Sequence, residues 1–574
     1  MDKKQVIEIL EEIGTLLELK GENPFKTRAY GNAARALRGV SEDLHELIAG
    51  NRLREIKGIG EAISEKITTL VTTGTLKYYE DLRRSFPPGI MELMRIPGLG
   101  PKKVKKLLDE LGVASINDLE KACRENRVAK LEGFSAKSQQ NLLDGIEQVR
   151  RYASRHLYHH AEQSARPLFE AVQKHPKVIR AELAGSLRRH RETVKDIDIV
   201  ASCKEADRPA IMAFFTALPG VQSVIAQGDT KSTVLLASGM QADLRLASDK
   251  EFPYLLHHLT GSAEHNIAMR SHALKLGIKV SEWGLFKGEK LIRCEDETAI
   301  FAALGMSYVP PELREDMGEI AAALRHEIPA LVEKKDLRGV LHCHSTYSDG
   351  ANSLAEMAEA CRALGFEYLG ICDHSMSVAY AQGLSPERVK QQHKEIDRLN
   401  AELKGFHIFK GTECDILPDG RLDYPDKVLA SFDFVVASIH SSMNMTEAQA
   451  TQRLIKAMQH PAVRILGHPT GRLLLGRDGY PINHHRVIEA AAELGVSIEI
   501  NASPHRFDLD WRHVKYARDH GVLISVNPDA HDREGIADIF YGVGIARKGW
   551  LRRTDVLNTK STKEIAKWFQ AKRS

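Results

Sequence analysis

The first 150 residues place apolar side chains three and four positions apart. Val6, Ile9, Leu10, Ile13 and Leu17 form one stripe of a 3.6-residue repeat, which predicts an amphipathic helix. The same texture continues to residue 150, and Pro87-Pro88 marks a break between helical segments 1–85 and 86–150. The period then shortens. Runs at 197–201, 232–237 and 242–246 read as strands, so the middle third mixes strands with helices. Residues 314–335 are charged and helix-prone, and they predict a connector. Beyond it, short apolar runs at 339–341, 368–372, 406–410, 432–437, 463–466, 496–500 and 522–526 are mostly separated by helical patterns. This alternation predicts parallel β/α units able to close into a barrel.

Composition narrows the picture. A chain of 574 residues holds about three to five domains. Hydrophobic residues at 43% and charged residues at 27% exclude a mainly disordered chain. No run approaches the roughly 20 apolar residues of a membrane span. The start of the chain has no long apolar stretch before a small-residue cleavage site, so a cytoplasmic location and no membrane partner are expected. The seven cysteines are scattered without a CxxC pair, which argues against a disulfide scaffold or a zinc ribbon. Net charge is only +3, so any case for nucleic acid rests on local patches.

One such patch recurs three times, as Ile56-Lys57-Gly58-Ile59-Gly60, Ile96-Pro97-Gly98-Leu99-Gly100-Pro101-Lys102-Lys103, and a degenerate Leu131-Glu132-Gly133-Phe134-Ser135-Ala136-Lys137. The glycines permit a tight hairpin and expose N–H groups at the next helix N-terminus, which suits a phosphate oxygen. This resembles the helix-hairpin-helix motif, which grips DNA backbone without reading sequence. The second copy is strongest, because Lys102, Lys103, Lys105 and Lys106 cluster on it. A single copy reads as well as a packing unit with a solvated lysine face; three copies favour DNA.

Asp196 and Asp198 lie two apart at the start of a predicted strand, where such positions face one side, roughly 6.6–7 Å apart. Paired carboxylates repel unless cations sit between them. Asp243 can supply a third from a neighbouring strand, and three carboxylates can hold two divalent cations for displacement at phosphorus. The small turn at Gly185-Ser186, with Arg189 behind it, suits a polyphosphate.

The order Gly185-Ser186-x-x-Arg189, Asp196-x-Asp198, Asp243-x-Arg245, Thr260-Gly261-Ser262, Asn266 and Arg270 resembles the palm and thumb of family X DNA polymerases, across residues 1–313. The resemblance implies two Mg2+ ions on Asp196, Asp198 and Asp243. It also implies nucleotide binding by Gly185, Ser186, Arg189, Gly261, Asn266 and Arg270, and DNA binding by Gly58, Gly60, Gly98, Gly100, Lys102 and Lys103. Lys66 aligns with the family's Schiff-base lyase lysine, and Lys26 and Tyr30 with its supporting residues. Three departures stand out: His258-Leu259 replaces an aromatic pair, Lys195 replaces a glycine, and Ala62 replaces a supporting basic residue. Ribonucleotide discrimination and lyase activity are therefore open, and Lys66 also reads as a plain helix lysine near phosphate.

In the last segment His342, His344, Asp349, His374, Glu413, His440, His468, Asp529 and His531 each follow a predicted strand. Donors from many strand ends meet only at the C-terminal mouth of a barrel. Mixed imidazole and carboxylate favour zinc, manganese or iron. Their order resembles the polymerase and histidinol phosphatase (PHP) domain, a seven-stranded barrel that holds Mn2+ or Zn2+, and no ligand position is missing. Arg421, Arg472 and Arg506 lie in loops where they can touch phosphate.

The expected architecture is multidomain α+β and α/β. Residues 1–85 form an N-terminal helical DNA-binding domain, 86–150 helix-hairpin-helix fingers, 151–255 a nucleotidyltransferase palm and 256–313 a thumb, followed by the connector 314–335 and a PHP barrel at 336–574. The implied partners are gapped or nicked DNA and dNTPs, for a monomer that fills gaps and processes 3′ ends. Two rivals are a small-molecule phosphatase barrel and a non-catalytic DNA-end scaffold.

Overall fold

The first apolar stripe forms the helix it predicts, Lys3–Lys20, with Val6, Leu10, Ile13 and Leu17 buried. Ile9 is only half-buried at the stripe's edge, while Leu16 and Leu19 widen the buried face. These positions come from a computed structural model that describes every residue except 2, 39, 41 and 572–574. The chain divides into two compact units, Met1–Ser154 and Arg155–Ser574.

The described residues of the first unit form helices without strands. Pro87-Pro88 interrupts the helices, yet the apolar core runs across the break, joining Leu10 and Leu70 to Leu93, Val104 and Leu119.

The second unit opens with a five-stranded sheet in the order Val178–Leu183, Asp196–Cys203, Gln241–Ala247, Lys231–Leu236, Val221–Gln227. The second and third of these strands are parallel, and their register sets Asp198 opposite Asp243. The sequence pattern misses Val221–Gln227 because nearly all of this edge strand is exposed, leaving no apolar alternation to read. Helices Phe252–Thr260 and Ala263–Lys275 follow, then a three-stranded antiparallel sheet, Ile278–Ser281, Gly284–Lys287 and Lys290–Ile292.

The expected connector is packed rather than free. Only Glu319–Leu324 is α-helical within 314–335, and Ala322 and Ala323 join the same core as Phe301. Three of its charges, Arg314, Glu315 and Glu319, are buried against partners, while Asp316, Arg325, Glu327, Glu333, Lys334 and Lys335 stay exposed. Arg314 has no exposed surface and bonds Glu297, and Glu319 meets His265 Nδ1 at 2.7 Å. The partners of Arg314 and Glu319 take these charges inside.

The last seven strands, Gly339–Cys343, Tyr368–Ile371, His407–Asp415, Phe434–Ser438, Val463–Leu466, Ser497–Asn501 and Ile524–Asn527, pair in chain order, every pair parallel. A parallel bridge between Cys343 and Ala530 brings the first strand to the end of the last, so the barrel is nearly closed. Helix Thr562–Gln570 plugs the N-terminal end, where Phe569 stacks on Phe434 at 4.5 Å between centroids. Phe434→Ala opens this plug and is expected to cost about 3–5 kcal/mol, checked by denaturant titration.

Candidate active sites and nucleic-acid interface

The three hairpins share one geometry. Gly58, Gly98 and Gly133 have φ of 103°, 85° and 83°, a region that strains residues bearing a Cβ. Two residues later, Gly60, Gly100 and Ser135 cap the helices Glu61–Thr73, Pro101–Leu111 and Ala136–Tyr152. A Cβ at Gly60, Gly98 or Gly100 would meet nothing within 4 Å, so these turns stand open to a phosphate. The four lysines of the second copy do not form one patch. Lys102 and Lys103 are exposed at the turn, but Lys105 is paired with Asp109 at 2.9 Å and Lys106 with Glu110 at 3.6 Å.

Lys66 lies on helix Glu61–Thr73, where its Nζ donates to the Ala62 carbonyl at 3.0 Å and lies 5.1 Å from the Tyr78 ring centroid. Tyr30 is buried, and burial together with Tyr78 pushes its hydroxyl well above the ordinary tyrosine range. Tyr78 thus links Tyr30 to Lys66. Lys26 pairs with Glu22 at 3.4 Å instead.

In the palm, burial and the charges of Asp196 and Asp243 push the Asp198 carboxyl up to about 7. The Lys231 ammonium sits 2.7 Å from Asp243 Oδ2, partly meeting this demand for positive charge. A Cβ at Gly185, where φ is +61°, would lie 2.0 Å from Asp198 Oδ2, so glycine keeps the space beside that oxygen open. Both features fit divalent cations at Asp196, Asp198 and Asp243. Gly185 and Ser186 open the one-turn helix Gly185–Arg188. Arg189 follows it, its Nε donating to Glu315 at 3.1 Å and its Nη1 to the Thr260 carbonyl. Gly261 packs against that guanidinium. Asn266 Nδ2 donates to the His258 carbonyl at 2.9 Å, Arg270 lies 3.4 Å from the His258 ring, and Lys195 is exposed.

In the barrel, three donor groups form, each with ligand atoms within 4.8 Å of one another: His344, Asp349, His374 and His531; His342, His344 and Asp529; and His374, Glu413 and His440. His468 Nε2 joins them, 2.8 Å from Glu413 Oε1. His342 and His344 face one site, both within 3.4 Å of Asp529 Oδ1. Regular strand alternation is not the reason: the register shifts between Val340 and Cys343, and His342 has φ of 67°. Glu413 lies inside its strand, which runs five residues past its expected end at 410.

Several sequence-predicted roles change. Arg421 is exposed and bonds Asp419. Arg472 is largely buried, held by Asp510 and the Arg506 carbonyl, so it braces loops. Only Arg506 approaches the donors, at 3.7 Å from Asp529. Sequence reasoning missed Glu499, which accepts from the His468 and Asn527 N–H groups and meets His342 Nδ1 at 2.7 Å. The readable signal was polar residues at every second position, Ser497, Glu499 and Asn501, in a strand whose residues are all buried.

Buried imidazole atoms test the site for metal. His342 Nε2, His344 Nδ1, His374 Nδ1, His440 Nδ1 and His468 Nδ1 have no hydrogen-bond partner among the described residues. Burial resists charge on His342, but Glu499, Asp529 and Glu413 drive its pKa well above the usual range; burial and neighbouring His531 and His374 pull His344 down to about 3. Such mixed, orphaned donors fit divalent metal, whose binding would displace protons.

A trio of palm carboxylates, a barrel mouth lined by imidazoles and carboxylates, and open glycine hairpins in the helical unit together define the class: a metal-dependent nucleic-acid enzyme. Family models agree: a helix-hairpin-helix domain matches residues 1–76, a SAM-like helix-hairpin-helix tandem 90–148, a DNA polymerase beta thumb 255–315 and a PHP domain 341–503. The DNA polymerase/3′-5′ exonuclease PolX of Bacillus subtilis is 41% identical over 570 residues, 98% of this chain and 99% of that protein. A probable phosphatase of Caldanaerobacter subterraneus is 29% identical over 40% of this chain and 91% of its own length; one of Caldicellulosiruptor bescii is 30% identical over 34% and 80%. The chain belongs to the family X DNA polymerases that carry a PHP domain. Among the described residues, no helix is long and apolar enough to cross a membrane.

Glu499→Gln weakens the group that orients His342 and is expected to lower divalent-cation affinity at the barrel by about 10–100-fold in equilibrium dialysis. Lys102→Ala/Lys103→Ala should weaken binding to every DNA sequence alike. It should also flatten the plot of log affinity against log salt by about 1 per lost phosphate contact, read by anisotropy.

Proposed function

We propose that this chain is a DNA-directed DNA polymerase that fills short gaps during repair at the palm and shortens 3′ ends at the barrel, with abasic-site incision as a further barrel reaction. The observation that carries the reading is the parallel register setting Asp198 opposite Asp243, with Asp196 two residues away on the same strand. Divalent cations, Mg2+ at the palm and Mn2+ or Zn2+ in the barrel, would supply Lewis-acid stabilisation of charge developing at phosphorus.

The protein's residues do the rest. Asp243 lies on a different strand from the other two carboxylates, the arrangement needed to address a primer 3′-hydroxyl while Asp196 and Asp198 face the nucleotide. Ser186 and Arg189 hold the triphosphate, and Asn266 and Arg270 line the nascent base pair. In the barrel, Glu499 keeps His342 oriented, and Arg506 lies near Asp529, where it can meet a phosphate oxygen. The open hairpin turns bind backbone phosphates of gapped or nicked DNA. Lys66, whose amine lies 5.1 Å from the Tyr78 ring centroid, is the candidate for Schiff-base lyase chemistry.

The names of the two phosphatase relatives favour a second reading of the barrel, as a phosphomonoesterase. Hydrolysis of a free phosphomonoester in preference to a DNA 3′ end would select it.

On one-nucleotide-gapped DNA, Asp196→Ala/Asp198→Ala is expected to lose extension and keep 3′ shortening. His342→Ala/His344→Ala is expected to do the reverse, both read on sequencing gels. Extension by the aspartate variant would overturn the palm assignment.

A further inference from the structure

The barrel's helix Ile539–Lys548 ends against the turn that follows Gly185–Arg188 in the palm. Gly544 faces the His190 ring: a Cβ at 544 would lie 2.2 Å from His190 Nδ1, so only glycine fits without displacing the ring. Four residues on, Lys548 has no exposed side-chain surface. Its ammonium donates to the Arg189 carbonyl at 2.9 Å, the Glu312 carbonyl at 3.3 Å and Glu315 Oε1 at 2.6 Å. It also lies 4.5 Å from the Trp511 ring centroid. Glu315 in turn accepts from Arg189 Nε and Arg191 Nη1, each at 3.1 Å.

Three cations therefore share one buried carboxylate, and Lys548 is the only one of them from the barrel. A buried ammonium persists only where acceptors surround it, and removing it leaves those acceptors unpaired. The Arg189 guanidinium is fixed from two sides, by Glu315 at Nε and by the Thr260 carbonyl at Nη1. Among the described residues its Nη2 has no partner and is left for a ligand oxygen.

We propose that Lys548 is a positioning residue of the polymerase centre, supplied by the barrel. By tying the Arg189 backbone to Glu315, it sets the direction in which the Arg189 guanidinium meets the triphosphate. This rests on the palm reading above. It makes nucleotide binding at the palm depend on the barrel's helix independently of the barrel's own metal donors.

The test uses the full chain on one-nucleotide-gapped DNA, measuring KM for the dNTP and kcat for extension, with 3′ shortening by the same protein as control. In Lys548→Met the KM is expected to rise about ten- to a hundredfold, the worth of one charge-assisted hydrogen bond. The kcat and the shortening rate should stay within about twofold, the signature of lost binding rather than lost chemistry. Glu315→Gln keeps the volume and removes the shared charge, and should give the same split. The double variant should be little worse than either single one, because both break one relay. An unchanged KM in folded Lys548→Met overturns the proposal, as does a parallel loss of extension and shortening. If Lys548→Met does not fold, Glu315→Gln decides by the same criterion. No extension by the wild type would instead overturn the palm reading, and this inference with it.

Discussion

One carboxylate organises the barrel mouth. Glu413 has almost no exposed surface, yet five imidazoles lie within 3.7 Å of it: His342, His344, His374, His440 and His468. Burial alone would favour the neutral acid, but His440, His342 and His374 hold its pKa well below the usual range. A charge taken out of water costs several kcal/mol unless partners surround it. Those partners come from other strand ends, so one group can be satisfied only when the strands converge. Folding of the barrel and assembly of its chemistry are thus the same event. Behind them Glu499 meets His342 Nδ1 and keeps that ring turned inward, and Asp415 accepts from the His440 backbone N–H.

The palm meets a similar problem with fewer parts. Its three carboxylates lie on two adjacent parallel strands, and Lys231 offers Asp243 a single compensating charge. Asp198 keeps its raised pKa, so that site retains a demand for cations which the protein does not meet itself. The barrel brings imidazoles to its carboxylates, and the palm leaves room beside its own at Gly185. The second unit also carries one continuous apolar core, from Ile197 and Leu244 in the sheet to Val340 and Ile498 in the barrel.

What the sequence made legible followed local rules. Most strand runs with apolar alternation or continuous burial were readable to within a few residues, though the strand His407–Asp415 runs well past its apolar run and holds Glu413 inside it. The glycine hairpins were readable because φ above zero restricts residue choice. What stayed hidden was set by partners distant in the chain. Residues 314–335 read as a connector, because the partners that bury Arg314 and Glu319 lie 17 and 54 residues away. Lys105 and Lys106 looked like a phosphate patch, although acids one helical turn on claim them. Arg472 looked like a phosphate ligand, but its partners Asp510 and the Arg506 carbonyl turn it into a brace.

The same distinction bears on how two chemistries share one chain. A free linker between palm and barrel would let each centre be read from its own residues. The packed 314–335 segment removes that independence: Ser262 N–H donates to the Arg314 carbonyl at 3.1 Å, and Glu315, the next residue, holds Arg189 and Lys548. One short stretch therefore touches the thumb turn, the palm turn and the barrel helix. Interiors this densely packed transmit displacement rather than absorb it. The orientation of the turn from Gly185 to Arg189 is consequently a property of the whole second unit.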